Sequence, residues 1–212
     1  MGMSPAFGAA FLWLLTTILW WSGWREESKE RLPHWAVGVF LAVWPMALLI
    51  NVKLTLALTF NGAWLWTLVA IVVLAVITPS VRRWMAMSSG VLLGAVYVLI
   101  SRLAYYPSGF SHAYASWLTA MIVGALAAVL LRGVSEQVLA ISAAFYLSDG
   151  ITAFVHSSMA SEAIPISRAM DWMEAWWVAL LSARLGTISV KATMELARRW
   201  APRWGGRGGQ RW

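Results

Sequence analysis

One acidic side chain stands inside a long apolar stretch of the sequence, AFYLSDGITAFVH, which covers residues 144–156. Asp149 lies near the middle of that stretch, and Asp171 and Glu174 follow at the start of the next apolar block. Residues three apart share one face of a helix, so Asp171 and Glu174 are expected side by side. Carboxylates that crowd together in low dielectric repel, which raises the pKa of one of them or attracts a cation. These residue types therefore point to proton or cation handling.

A purely structural role explains the same residues. Arg102, near the end of an earlier apolar block, can bend its long side chain to the level of Asp149 and pair with it. Asp171 and Glu174 fall in the first turns of a helix, where negative charge suits the helix dipole. The candidate buried polar site is Asp149, Asp171, Glu174 and Arg102. An ion site and a clip between helices are both open interpretations of it.

No catalytic motif accompanies these carboxylates. Asp149, Gly150 and Ala153 match the start of the DGxxAR pattern of CDP-alcohol phosphotransferases, but Phe154 stands where that chemistry needs an arginine. The three histidines are scattered and the chain has no cysteine, so zinc, iron–sulfur and thiol chemistry lack their ligands or nucleophile. We therefore expect no enzyme activity, no metal and no cofactor.

Long apolar blocks must position these residues. Of the 212 residues, 60% are hydrophobic and 12% are charged, which departs strongly from the composition of soluble domains. The blocks are about twenty residues long, enough for a helix to cross ~30 Å of hydrocarbon. The sequence thus predicts an all-α fold, a polytopic transmembrane helical bundle of about seven spans. Their expected bounds are 5–24, 34–50, 62–79, 87–104, 114–131, 135–156 and 167–187.

The basic residues predict how this bundle is oriented. Lys and Arg favour the cytoplasmic side of a membrane. With the N-terminus outside, seven spans place 13 of the 16 basic residues inside and leave only Lys53, Arg102 and Arg168 outside. We therefore expect the N-terminus outside and the C-terminus inside.

The chain is expected to divide into a transmembrane domain, residues 1–187, and a basic cytoplasmic tail rich in Arg, Trp and Gly, residues 188–212. The tail should be helical until Pro202 stops the helix. Its arginines should attract anionic lipid headgroups and its tryptophans favour the membrane interface. RNA binding by the Arg-Gly run is the weaker alternative, and we expect no nucleic-acid partner. The candidate lipid-surface residues are Arg198, Arg199, Arg203, Arg207 and Arg211.

Local patterns predict how the helices begin and touch. LTLALTF, residues 54–60, alternates with period two, which fits either an extended outer segment or the continuation of a tilted helix. Asn61-Gly62 then predicts a turn before the third span. The small-xxx-small patterns of residues 90–94 and 124–128 predict close packing between helices.

Tryptophan is abundant, with 16 copies, and many lie near expected span ends, as in the aromatic belts of membrane proteins. Trp13, Trp44, Trp176 and Trp177 lie deeper. Each of these indole N–H groups is expected to find a hydrogen-bond partner, since burial without one is costly.

Two stretches carry a resemblance to a known family. The first is the aromatic-rich FLWLLTTILWWSGW, residues 11–24, which a charged turn follows, and the second is LTFNGAWLW, residues 58–66. Together with the length and order of the spans, they resemble the YphA-like membrane proteins of endospore-forming Gram-positive bacteria. The resemblance implies a multi-pass protein of the bacterial cytoplasmic membrane that is associated with sporulation, and it supplies no catalytic residues.

The sequence therefore predicts a non-enzymatic integral membrane protein that works by packing or partner contact. Its expected partners are anionic lipid headgroups at the tail and another membrane protein. The alternative is a small transporter, or a proton- or cation-handling protein, that uses Asp149, Asp171 and Glu174.

Overall fold

The computed structural model describes residues 5–24, 33–53, 59–103, 112–157 and 167–205. Helices make up nearly all of this part of the chain, so the predicted all-α fold is confirmed. The seven α-helices of the described residues are α1 (Pro5–Leu19), α2 (His34–Leu48), α3 (Gly62–Ile77), α4 (Ser80–Leu103), α5 (His112–Leu130), α6 (Val134–Ser157) and α7 (Ser167–Gly205). α1 continues as a π-helical turn, Trp20–Trp24.

A short antiparallel hairpin connects α2 to α3. It pairs β1 (Asn51–Lys53) with β2 (Thr59–Asn61), and Asn51 lies opposite Asn61. The end of the alternating segment 54–60 is thus extended strand, while residues 54–58 lie outside the described residues.

Asn61 joins the hairpin to the helices on both sides. Its side-chain oxygen accepts a hydrogen bond from Ala63 N at 2.9 Å and so caps α3. Its side-chain nitrogen donates to Leu48 O at 3.0 Å and to the Asn51 side chain at 3.2 Å. The change of direction expected at Asn61-Gly62 is therefore the start of α3.

α6 and α7 form the centre of the bundle. α4 packs along α6, while α5 and α1 pack along α7. The two antiparallel helices α2 and α3, together with the β-strands that connect them, form the α2–α3 hairpin. This unit has fewer contacts with the rest of the bundle, through α3 to α6 and through α2 to α1. The buried core contains many small residues, chiefly Ala9, Ala86, Ala120, Ala127, Ala140, Ala144, Ala175, Ala179 and Ala183.

Glycines of the predicted small-xxx-small patterns bring α4 against α6. A Cβ atom at Gly90 would lie 2.8 Å from Ala140 O, and one at Gly94 would lie 3.1 Å from Ala144 O. Backbone oxygens cannot rotate away as side chains do, so a larger residue at Gly90 would push the helices apart and one at Gly94 would be tightly packed. The predicted close packing of α4 is therefore present, and the helix it packs against is α6.

The second pattern does the same for α5 and α7. Gly124 lies directly against the Ala179 backbone and the Ser182 hydroxyl, and Ala128 faces Gly186. Gly150 behaves differently, because nothing lies within 4 Å of the position a Cβ would take there. No other helix among the described residues approaches α6 closely at Gly150.

α4 begins at Ser80, well before the expected start at residue 87. Charged residues end an apolar run without ending a helix, because each finds a partner at the bundle end. Arg82 Nε lies 3.5 Å from Glu136 Oε1 on α6, and Arg83 Nη1 donates to Ala75 O at 3.3 Å.

α7 is one continuous helix of 39 residues, so the boundary expected between residues 187 and 188 falls inside it. Packing nevertheless changes there, since Thr187 is the last buried one of its described side chains and those from Ser189 to Arg198 are exposed. The helix passes Pro202, where we expected it to stop, and ends at Gly205. A proline removes one backbone donor, which weakens a turn without forbidding the few residues that follow.

One helical stretch of the described residues, Ser80–Ser101, is both long and apolar enough to cross a membrane. Four shorter apolar stretches are Phe7–Ser22, His34–Leu48, Gly62–Ile77 and Ser116–Leu130. The helical bundle is thus established.

Candidate functional site

The predicted polar site is described only in part. Asp149 is half-buried on α6 and Glu174 is half-buried on α7. Arg102 and Asp171 have described backbones on α4 and α7, and their side chains lie outside the described part of the chain. Only Asp149 and Glu174 can therefore be compared in space.

Glu174 faces α1 and α5. The indole Nε1 of Trp117 on α5 donates to Glu174 Oε1 at 3.1 Å. On the other side, Gly8 of α1 leaves room for the carboxylate, since a Cβ there would lie 2.6 Å from Glu174 Cδ. Glu174 is thus enclosed by a glycine and an indole donor.

Two tryptophans occupy the side of α7 that faces α6. Trp172 Nε1 donates to Phe145 O at 3.0 Å, and Trp176 Nε1 donates to Ser142 Oγ at 3.0 Å. Glu174 lies two residues from each tryptophan, about 200° around the helix, so it points away from α6. The structure therefore turns Glu174 away from the helix that carries Asp149.

The turn of α6 before Asp149 is fastened to its neighbours by aromatic contacts. Tyr146 Oη donates to Trp64 O on α3 at 2.7 Å. The Tyr146 ring also meets Trp172 of α7 edge to face, with ring centroids 4.8 Å apart. Aromatic packing, which the sequence did not reveal, thus joins α3, α6 and α7 beside Asp149.

The deep tryptophans divide into two groups. Trp13 donates to Leu41 O at 2.8 Å and Trp176 donates to Ser142, so the expected partners are confirmed for these two. Trp44 Nε1 and Trp177 Nε1 are buried without a partner among the described residues. Their rings meet edge to face with centroids 5.4 Å apart, which sets the edge of one indole against the face of the other.

A buried amide links the start of α6 to α7. Gln137 is 1% exposed, and its Nε2 donates to Leu131 O at 2.8 Å and to Thr187 Oγ1 at 2.9 Å. Its Oε1 is buried without a partner among the described residues. We did not single out Gln137, although an amide at the start of an apolar run is the signal that would have identified it.

A cavity of about 410 Å³ lies between the α2–α3 hairpin and the α6–α7 pair. His34, Gln137 and Arg184 lie at one end of its lining, and Phe40, Trp66 and Trp177 lie further in. Volumes of this size suit small-molecule sites. The walls are almost entirely apolar side chains, so the cavity suits an apolar ligand with one polar end.

The residues predicted to contact lipid headgroups are only partly described. Arg198 is exposed on α7 beyond the bundle. Arg199 and Arg203 belong to the same helix, but their side chains lie outside the described part, as do Arg207 and Arg211 entirely.

Among the described residues, no three His, Asp or Glu side chains are grouped so that they could hold a metal ion.

These features define an all-α bundle with an interhelical cavity. Comparisons with protein-family models, with curated proteins and with solved structures give no match. The likeness to the YphA-like proteins therefore stays a sequence-based prediction.

Proposed function

We propose that the chain is an integral membrane protein whose seven helices cross the bacterial cytoplasmic membrane, N-terminus outside and C-terminus inside. It acts without catalysis, by binding partners in the membrane plane. The observation that carries this proposal is the distribution of side-chain sizes. On α3 the buried residues are Ala63 and Thr67, while Val72 is 56% exposed and Val76 is 73% exposed.

A soluble bundle buries its large aliphatic residues, because their removal from water drives folding. Here every helix exposes large apolar side chains, while alanine is the most frequent buried residue of the described part and glycine lies where α4 meets α6 and where α5 meets α7. Membrane helices associate in this way, since lipid already solvates valine and leucine and packing favours small residues at the contact. Soluble proteins rarely expose large apolar side chains in extended contiguous patches.

The shorter helices are compatible with a span. α2 has 15 residues and is therefore about 22 Å long, less than the ~30 Å of hydrocarbon. Short spans are accommodated by local thinning of the bilayer and by aromatic residues at the interface. Trp21 and Trp35, which are 76% and 72% exposed, lie at the expected inner ends of α1 and α2.

Binding is favoured over transport because Glu174 is turned away from the helix that bears Asp149. The cavity and the exposed basic end of α7 offer places for partners. The Arg-rich tail would contact anionic headgroups at the inner surface. An association with sporulation rests on the likeness to the YphA-like proteins alone.

The membrane placement is tested by labelling single cysteines, because the chain has none of its own. Val52 and Ser80 are both exposed, and the proposal places them on opposite sides of the membrane. A membrane-impermeant maleimide added to intact cells should label Val52→Cys at once and Ser80→Cys only after permeabilisation. Equal labelling of both variants, or recovery of the chain in the soluble fraction, would refute the placement.

Partner binding is tested separately, by crosslinking the chain in cells at each growth stage and purifying it. The proposal expects one membrane protein to crosslink reproducibly to the chain. An excess of unlabelled chain should reduce that crosslink. Recovery of lipid alone at every stage contradicts it.

A further inference from the structure

We propose that the cavity between the α2–α3 hairpin and the α6–α7 pair binds one acyl chain of an anionic phospholipid from the cytoplasmic leaflet. This inference rests on the membrane placement proposed above. It adds a ligand class, a binding site and a charged residue that selects the headgroup.

The length of the cavity matches one leaflet. Its lining runs from His34 to Leu41 on α2 and from Trp176 to Arg184 on α7. These are steps of seven and eight residues, or about 10 and 12 Å of helix. The lining of α3, from Trp66 to Ile77, covers about 17 Å. These lengths approach half of the ~30 Å hydrocarbon layer, as expected for a chain that enters from one surface.

The walls suit an acyl chain and admit it from the side. The α3 wall includes Val69 and Val73, which are about half exposed at the bundle surface. The opposite wall includes the fully buried Trp177. A lipid chain could therefore enter laterally between α2–α3 and the core, where the hairpin is attached only lightly.

The charge of the lining selects the headgroup. Among the described residues that line the cavity, the ionisable side chains are His34 and Arg184, and no Asp or Glu is present. Both lie at the end that the basic-residue distribution assigns to the cytoplasm, together with the first turn of α6. A basic side chain at a membrane surface favours an anionic over a zwitterionic headgroup.

Native mass spectrometry of the full chain in detergent tests this inference. The probes are phosphatidylglycerol and phosphatidylcholine that carry identical acyl chains. The chain should retain one phosphatidylglycerol, with about a fivefold preference over phosphatidylcholine from a single basic residue. Arg184→Gln should abolish the preference, whereas Arg132→Gln, an exposed arginine at the same end of the bundle, should keep it.

A second pair of variants tests the location. Ala70→Phe fills the lining of α3 and should abolish retention of both lipids, while Ala95→Phe on the exposed side of α4 should not. Where Ala70→Phe fails to fold, Val73→Phe replaces it, because Val73 is half exposed and a larger ring there spares the buried side chains.

Three results would overturn the inference: no retained lipid in the unmodified chain, equal retention by Ala70→Phe and Ala95→Phe, or an unchanged preference in Arg184→Gln. A lipid held by the basic tail would be retained equally by Ala70→Phe and Ala95→Phe. If the Val52→Cys and Ser80→Cys labels behave as expected while no lipid is retained, the cavity proposal alone fails. If the labels show no membrane placement, the proposed function fails first.

Discussion

Trp117 on α5 donates its indole N–H to the carboxylate of Glu174 on α7, with 3.1 Å between the two atoms. The pair lies beside Gly8 of α1, which leaves room for the carboxylate. The Glu174 side chain of α7 thus contacts both α1 and α5.

Loss of the indole donor should weaken the bundle modestly. We expect Trp117→Phe to lower the free energy of unfolding by about 1 kcal/mol, because the half-buried carboxylate loses one donor. Trp84→Phe is the matched control, since Trp84 is an exposed tryptophan and should change little. Unfolding by titration with sodium dodecyl sulfate measures the stability of both variants. Equal losses of stability in the two would show that this hydrogen bond does not stabilise the bundle.

The effect of a Gly→Ala substitution on stability should depend on what lies opposite the glycine. Gly124→Ala is expected to cost about 1–3 kcal/mol, because the new methyl group meets the Ala179 backbone and must push α5 away from α7. Gly150→Ala meets nothing within 4 Å and should stabilise α6 by about 0.5–1 kcal/mol. Thermal unfolding of the purified variants decides this, and a Gly124→Ala variant as stable as the unmodified chain would contradict the packing described.

Gln137 and Thr187 should show energetic coupling in a double-mutant cycle. Gln137→Leu and Thr187→Val each remove one side of their 2.9 Å hydrogen bond. Side-chain hydrogen bonds in membrane proteins couple by about 0.6 kcal/mol on average and rarely exceed 1.7 kcal/mol. We expect a coupling within this range, measured from the unfolding free energies of both single variants and the double variant. Strict additivity would mean that the two side chains act independently.

Asn61 should matter more than its strand partner. Asn61→Ala removes the cap of α3 together with the bond to Leu48 O, so we expect a loss of about 2 kcal/mol. Asn51→Ala removes only the exposed end of the 3.2 Å bond to Asn61 and should cost less than about 1 kcal/mol. Comparable losses in both variants, read from thermal unfolding, would contradict this ranking.

Local sequence patterns were enough to predict the elements of the bundle. Every predicted apolar block corresponds to a helix, because block length and local punctuation such as Asn61-Gly62 act within a few residues. The small-xxx-small patterns also indicated which helix faces pack closely. Helix ends were less predictable: Arg82 and Arg83 end an apolar run, yet α4 continues through them because their partners lie elsewhere in the bundle.

The rotation of each helix about its axis depends on contacts between helices and could not be predicted from local patterns. The spacing of Asp171 and Glu174 gives them a common helix face, but nothing local says which neighbour that face meets. In the bundle α7 is rotated so that Glu174 faces α1 and α5 while Trp172 faces α6. Gln137 and Thr187, 50 residues apart, meet because of the same rotation. Cavities and buried contacts depend on such rotations, and the energies that choose them arise from packing between helices distant in sequence.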